Sequence, residues 1–363
     1  MTIPHTIQDP LKPIVGMVHS VGHFWLARSP FSQIMLVLLV LLAKNGFDIE
    51  LRNVQEAYLP ASIEFPEPRG YFSASFGQVG ITSVLGISTT TSWVVLHLVA
   101  TIATLTIACW MAIRTTRAER SLSLLIVAAA TASSTLLIGI GKYDVLTVLG
   151  AFILILSKRT PGAAFGALIM ASGNPEQAML GALGLLILSM TRNFKDFRTR
   201  ATLALLISVT SWLLVQWWFL TNNMDSGRLS LVRAFLAESL GRFTSSPELA
   251  ILSWYGAGWI IVLASLALIG RGSRWPLLVS LILIPGVASL ITADGARVFA
   301  PIALPSFLAV GLWLASTKIS PSSYRTEAVG SFIILLLIVP TALTGPGWLF
   351  GQVLGQFAKF LSL

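Results

Sequence analysis

The stretch at 136–152, LLIGIGKYDVLTVLGAF, is apolar on both flanks and carries Lys142 and Asp144 near its middle. Read as one continuous membrane span, it would bury two charges, each at a cost of at least ~2.5–3.5 kcal/mol on insertion scales. Read as helix, turn and helix, it ends one span before GKYD and starts another after it. Both charges then reach the membrane boundary, and the rest of the chain fits this second reading.

Of the 363 residues, 55% are hydrophobic and 11% charged, and the mean hydropathy is +0.81. Windows of about 20 apolar residues, enough to cross a hydrocarbon core of ~30 Å as a helix, recur along most of the chain. The fold expected is all-α: a polytopic transmembrane helix bundle, one integral membrane domain over 1–363. Spans are predicted at 31–47, 92–113, 122–140, 144–157, 161–173, 176–190, 201–221, 249–269, 276–292, 299–317 and 328–343, about eleven crossings. The pair 161–190 is either two short spans or a re-entrant hairpin tipped by SGNPEQ. The first thirty residues lack the pattern of a cleaved secretory signal, so the first span is expected to direct insertion. KPIVGMVHSVGHFWLARSPF (12–31) has the character of a segment lying along a membrane surface.

The single cysteine, Cys109, lies inside an apolar segment, which excludes a disulfide framework and a thiol metal cluster. His5, His19, His23 and His97 show no metal-ligand spacing. The net charge of +9 does not indicate nucleic acid, because the basic residues concentrate in short inter-helix loops. RTTRAERS (114–121), SKRTPG (157–162), TRNFKDFRTR (191–200), RGSRW (271–275) and STKISPSSYRTE (316–327) all fall on one face. The positive-inside rule makes that face, and the N-terminus, cytoplasmic. Of the 15 acidic residues, Asp9, Glu119, Asp196 and Glu327 share that face and the others fall outside.

Two further segments belong to the outer face as interfacial helices. The loop at 44–91 is the longest and includes the moderately apolar GQVGITSVLGIS (77–88). GRLSLVRAFLAESLGRF (227–243) sets Leu229, Val232, Leu236, Leu240 and Phe243 at helical spacing against Arg228, Arg233 and Arg242, the pattern of a helix in the interface plane.

The same topology brings Asp48, Glu50, Lys142, Asp144, Glu176, Asp294 and Arg297 to the outer boundary from four sequence-distant turns. A carboxylate there can take the proton of an attacking hydroxyl, and Arg or Lys can hold a phosphate leaving group. Local structural roles compete with this chemistry. GKYD makes an ordinary tight turn with a Lys–Asp pair, Asp294 and Arg297 sit one helical turn apart and can pair, and Glu176 after Pro175 suits the start of a helix. Glu64 and Glu67 read as solvated loop charges, and most tryptophans as packing or interfacial belt.

NGFDIELRNVQEAYLPAS (45–62) follows the first span with two acids and then a segment crossing the outer surface. This arrangement resembles the GT-C glycosyltransferases, integral membrane enzymes that take a sugar from a polyprenyl-phosphate donor. The resemblance covers topology over 31–220, a core module, with 221–363 as variable C-terminal spans. It implies a catalytic acid at Asp48 or Glu50, since FDIEL departs from the commoner adjacent acidic pair. It implies a second acidic position at Asp144, which would bind a divalent cation such as magnesium or manganese or else orient sugar or acceptor. Lys142 and Arg297 would neutralise the lipid phosphate, with Glu176 and Asp294 in the same donor-binding set. The partners implied are a polyprenyl-phosphate sugar donor, a glycan or lipid acceptor and membrane lipids, in a bacterial plasma membrane with the site extracytoplasmic.

Three other readings stay open, one of them a non-catalytic membrane scaffold. A polysaccharide polymerase using undecaprenyl-linked sugars would rely on outer arginines such as Arg228, Arg233, Arg242 and Arg297. A lipid or solute transporter would place ionisable residues along a path inside the spans, where His97 is the main titratable side chain and a packed, hydrogen-bonded role suits it equally.

Overall fold

The computed structural model describes residues 12–46, 49, 51–115, 120–142, 144–225, 228–292, 295–317 and 322–339, and among these it is helical, with no β-strand. Helices α1 (Lys12–Leu26) and α2 (Pro30–Asn45) lead into a layer of short pieces. These are α3 (Leu51–Asn53), a π-helical turn (Val54–Tyr58), α4 (Leu59–Ile63), a 3-10 turn (Gly70–Ala74) and α5 (Phe76–Val84). The bundle continues with α6 (Thr90–Thr115), α7 (Arg120–Ala129), α8 (Thr131–Ile138), α9 (Asp144–Leu156), α10 (Thr160–Gly173), α11 (Pro175–Ser189) and α12 (Arg198–Thr221). It ends with α13 (Arg228–Ser245), α14 (Pro247–Tyr255), α15 (Trp259–Leu268), α16 (Arg271–Leu278), α17 (Ile284–Leu290), α18 (Gly295–Ser316) and α19 (Ser322–Ile338).

Local sequence starts several of these helices. Ser29 caps α2, its hydroxyl accepting from the Ser32 N–H at 3.2 Å, and Asn174 caps α11, accepting from the Gln177 N–H at 3.1 Å. Each cap is followed by proline, which has no N–H to leave unpaired in the first turn.

Among the described residues, five stretches are long and apolar enough to cross a membrane: Thr90–Arg114, Arg192–Thr221, Pro247–Leu268, Arg271–Leu290 and Arg297–Ser316. The pair α7 and α8, bent by 49° at its break, makes a sixth if counted as one span. The remaining predicted spans are helical where described, but short. With 13 residues, α9 is only ~20 Å long, against a hydrocarbon core of ~30 Å. Its faces are covered by protein, with Val148, Ala151, Phe152 and Leu154 all fully buried, so lipid thickness does not set its length.

Helices α9 and α10 run antiparallel at backbone contact. A Cβ at Gly150 would lie 2.2 Å from the Met170 nitrogen, and one at Gly166 would lie 2.4 Å from the Leu154 nitrogen. Close approach through small residues is how helices gain dispersion contacts where lipid supplies no hydrophobic drive. Helix α1, whose sequence suits a membrane surface, packs along α19. There Gly22 lies against the Thr326 backbone, while Ile14, Val15, Met17 and Phe24 stay exposed on its other side.

Three irregular backbones meet inside the bundle and satisfy one another. At the break between α7 and α8, the Thr131 hydroxyl donates to the Trp254 carbonyl at 2.8 Å, and Ser133 donates to the Val127 carbonyl at 2.7 Å. Trp254 belongs to a second break, between α14 and α15, where Gly256 takes φ +51°. The neighbouring Tyr255 hydroxyl donates at 2.6 Å to the carbonyl of Leu281, in a π-helical turn over Val279–Leu283. Hydroxyls thus occupy carbonyls that irregular backbone would leave unpaired away from water.

The two ends of the bundle differ in charge. At the basic end, Arg200 donates to the carbonyls of Ile155 (3.0 Å) and Lys158 (3.3 Å), and Phe194 packs against Trp313. The short-helix layer at 51–84 covers the opposite end.

Candidate functional site

Asp144 opens α9 and Arg297 lies in the first turn of α18; the two helices pack side by side at the end opposite the basic turns. Arg297 donates from Nε to Oδ2 of Asp144 and from Nη2 to Oδ1 at 3.5 Å, across 153 residues of sequence. Side-chain exposure is 16% for Arg297 and 7% for Asp144, so this ion pair lies within the protein. A carboxylate suits a helix N-terminus, whereas an arginine in a first turn opposes the helix dipole. Asp144 therefore offsets both the guanidinium and the start of α9.

A third helix begins at this level. Helices α11 and α18 run parallel: a Cβ at Gly181 would lie 3.2 Å from the Ile302 carbonyl, and one at Gly184 would lie 3.4 Å from Ser306 Oγ. The first turn of α11, with Glu176 and Gln177, is therefore level with the first turn of α18. Asn174 supplies the cap there, and Glu176 sits half-buried in the first turn. Three helix N-termini thus share one level, which favours an anion.

The turn before Asp144 is fastened from several sides. Ile140 forms a parallel bridge with Ile49, the residue between the two candidate acids of the first loop. Trp93 Nε1 donates to the Gly141 carbonyl at 3.0 Å, and Gln78 Nε2 donates to the Lys142 carbonyl at 3.3 Å. Gly141 has φ +96°, and a Cβ there would lie 2.8 Å from Val54 Cγ2. Beneath the turn, His97 stacks on Trp93 with centroids 4.5 Å apart, donates from Nδ1 to the Trp93 carbonyl at 2.8 Å and meets the Gln78 amide through Nε2. His97 is thus a packed, hydrogen-bonded side chain that braces the turn.

The residues singled out from the sequence divide accordingly. Asp144 and Arg297 are brought together, and Lys142 lies on the same turn, buried, with its stem over Gly139. The tight-turn reading paired Lys142 with Asp144, and the local reading paired Asp294 with Arg297; Asp144 is joined to Arg297 across the two helices. Asp48, Glu50 and Asp294 lie outside the described residues. Gln78 and Trp93 were not legible as site residues: a neutral amide and an apolar-run tryptophan carry no sequence signal for bracing a distant turn.

The Arg297 guanidinium takes up the Asp144 carboxylate. Among the described residues no three His, Cys, Asp or Glu side chains converge on a point. A cavity of about 540 Å³ lies elsewhere, along α1, lined by His19, Ser20, His23, Phe24, Ala27 and Arg28.

Compared with known protein families, characterised proteins and solved structures, the chain matches none. Its functional reading rests on the residues themselves.

Proposed function

We propose that the chain is a membrane glycosyltransferase of GT-C type, moving a sugar from a polyprenyl-phosphate donor to an acceptor hydroxyl. One observation carries the reading: the bridge between Ile49 and Ile140 sets the first loop after α2 against the turn that leads into Asp144. This supports a shared site for two acidic motifs that the sequence separates by nearly a hundred residues. In this reading Asp48 or Glu50 removes the acceptor proton, an assistance of typically 10²–10⁴-fold. Asp144 holds the Arg297 guanidinium in a fixed orientation toward the phosphate as it leaves, and the helix N-termini add fixed partial positive charge.

The same proposal sets the chain in a bacterial plasma membrane with about eleven crossings, the shorter ones enclosed by the longer. The basic end faces the cytoplasm, and the site meets the lipid headgroups outside. The test is transfer of labelled sugar from polyprenyl-phosphate donors by purified protein in detergent. Wild-type turnover with loss in Asp144→Asn and in one of Asp48→Asn or Glu50→Gln supports the reading; full turnover by all three variants ends it.

A specific observation favours transport as the second reading. The bent pair α7–α8 touches, at its break, the end of α14 next to the 3-10 turn that joins it to α15, and discontinuous helices form substrate sites in many transporters. Counterflow of lipid or solute in proteoliposomes, lost in Thr131→Val but retained in Asp144→Asn, would select it.

A further inference from the structure

Helix α13 meets the bundle along a narrow strip. Ser239, 7% exposed, donates to the Thr292 carbonyl, and Phe243 stacks on Trp254, which stacks on Phe299 at 4.9 Å. Both contacts end on the segment around Arg297: Thr292 precedes it, and Phe299 follows it by two residues. Elsewhere on α13, Phe235, Leu236 and Leu240 are 36%, 36% and 42% exposed. Arg233 is exposed beside them, and the helix sequence holds three arginines against one glutamate.

Connectivity fixes the level of this helix. It joins the stretch ending at Thr221 to the one starting at Pro247, both long and apolar enough to cross a membrane. Tethered at both ends to one boundary, α13 holds Phe235, Leu236 and Leu240 with the exposed Arg233 at that level, a composition suited to the zone where headgroups meet acyl chains. A second copy is the poorer occupant, because it would bring like arginines together.

We propose that α13 docks on an anionic phospholipid surface and passes that docking to the turn carrying Arg297. The proposal holds whichever chemistry the site performs. Its test uses the full chain in nanodiscs of phosphatidylcholine, alone or mixed with phosphatidylglycerol, with Leu236→Cys carrying an environment-sensitive label; Cys109 is buried and does not compete. Phosphatidylglycerol is expected to raise quenching by nitroxide lipid and lower quenching by iodide. Arg233→Gln is expected to cut the docked-to-undocked ratio by about fivefold, the effect of one basic residue near an anionic surface.

Hydrogen exchange reads the coupling. With phosphatidylglycerol, amides at 295–299 are expected to slow in the otherwise wild-type chain. In Ser239→Ala, α13 still docks but that slowing is lost or reduced. Equal iodide quenching in the two lipids, or shielding traced to label–label contact between copies, overturns the docking. Unchanged slowing at 295–299 in Ser239→Ala overturns the route through this contact.

Discussion

Arg297 and Asp144 form an ion pair within the protein where the first turns of α18 and α9 meet, 153 residues apart in sequence. A lone buried charge is far costlier than a buried pair, because desolvation is then uncompensated. Asp144→Asn and Arg297→Gln are each expected to destabilise by about 3–5 kcal/mol, read as a fall in thermal midpoint in detergent. The combination Asp144→Leu with Arg297→Met is expected to recover most of that loss. Additive losses in the double variant would show that the two groups are not coupled.

Gly150 is the tightest point between α9 and α10. Gly150→Ala places its methyl 2.2 Å from the Met170 nitrogen and 2.5 Å from the Gly166 carbonyl oxygen, and such overpacking costs typically about 1–3 kcal/mol. Gly16→Ala is the control: nothing lies within 4 Å of a Cβ there, so helix propensity alone acts and stability rises by about 0.8–1 kcal/mol. Opposite shifts in unfolding midpoint check both.

Tyr255→Phe removes the donor to the Leu281 carbonyl in the π-helical turn. Thr131→Val removes the donor to the Trp254 carbonyl while keeping nearly the same shape. Each leaves a buried carbonyl short of a partner, at about 1–3 kcal/mol. Raised hydrogen exchange around 279–283 in the first variant and around 254–258 in the second is the expected signature.

Trp93→Phe keeps the ring stacked on His97 but loses the bond to the Gly141 carbonyl. The loss is about 1–3 kcal/mol, and faster exchange of the 139–142 amides is expected to accompany it. Sugar transfer, if present, is expected to fall further than stability, because the turn places Asp144. An activity loss no larger than the stability loss predicts would remove the bracing role from the reaction.

Much of the architecture was legible in the residues. Charges at Lys142 and Asp144 inside an apolar run demand a turn, and α9 does begin at Asp144. The amphipathic pattern at 227–243 reads as a helix and α13 forms there. Span length was less legible, because an apolar segment reads the same whether lipid or protein covers it; α9 is covered by protein. The pairing at the site was less legible still. The Arg297 guanidinium meets Asp144 across 153 residues because α9 and α18 pack side by side.

By itself the sequence determined a helical, membrane-embedded chain and where its turns fall, since the transfer free energy of each segment is a local sum over its own side chains. Tertiary structure alone decided which helices stay short inside the bundle, which carbonyls of broken helices meet which hydroxyls, and which cation faces Asp144. Those outcomes depend on how closely backbones approach at positions such as Gly150 and Gly181, and no periodicity within a single segment encodes its neighbour.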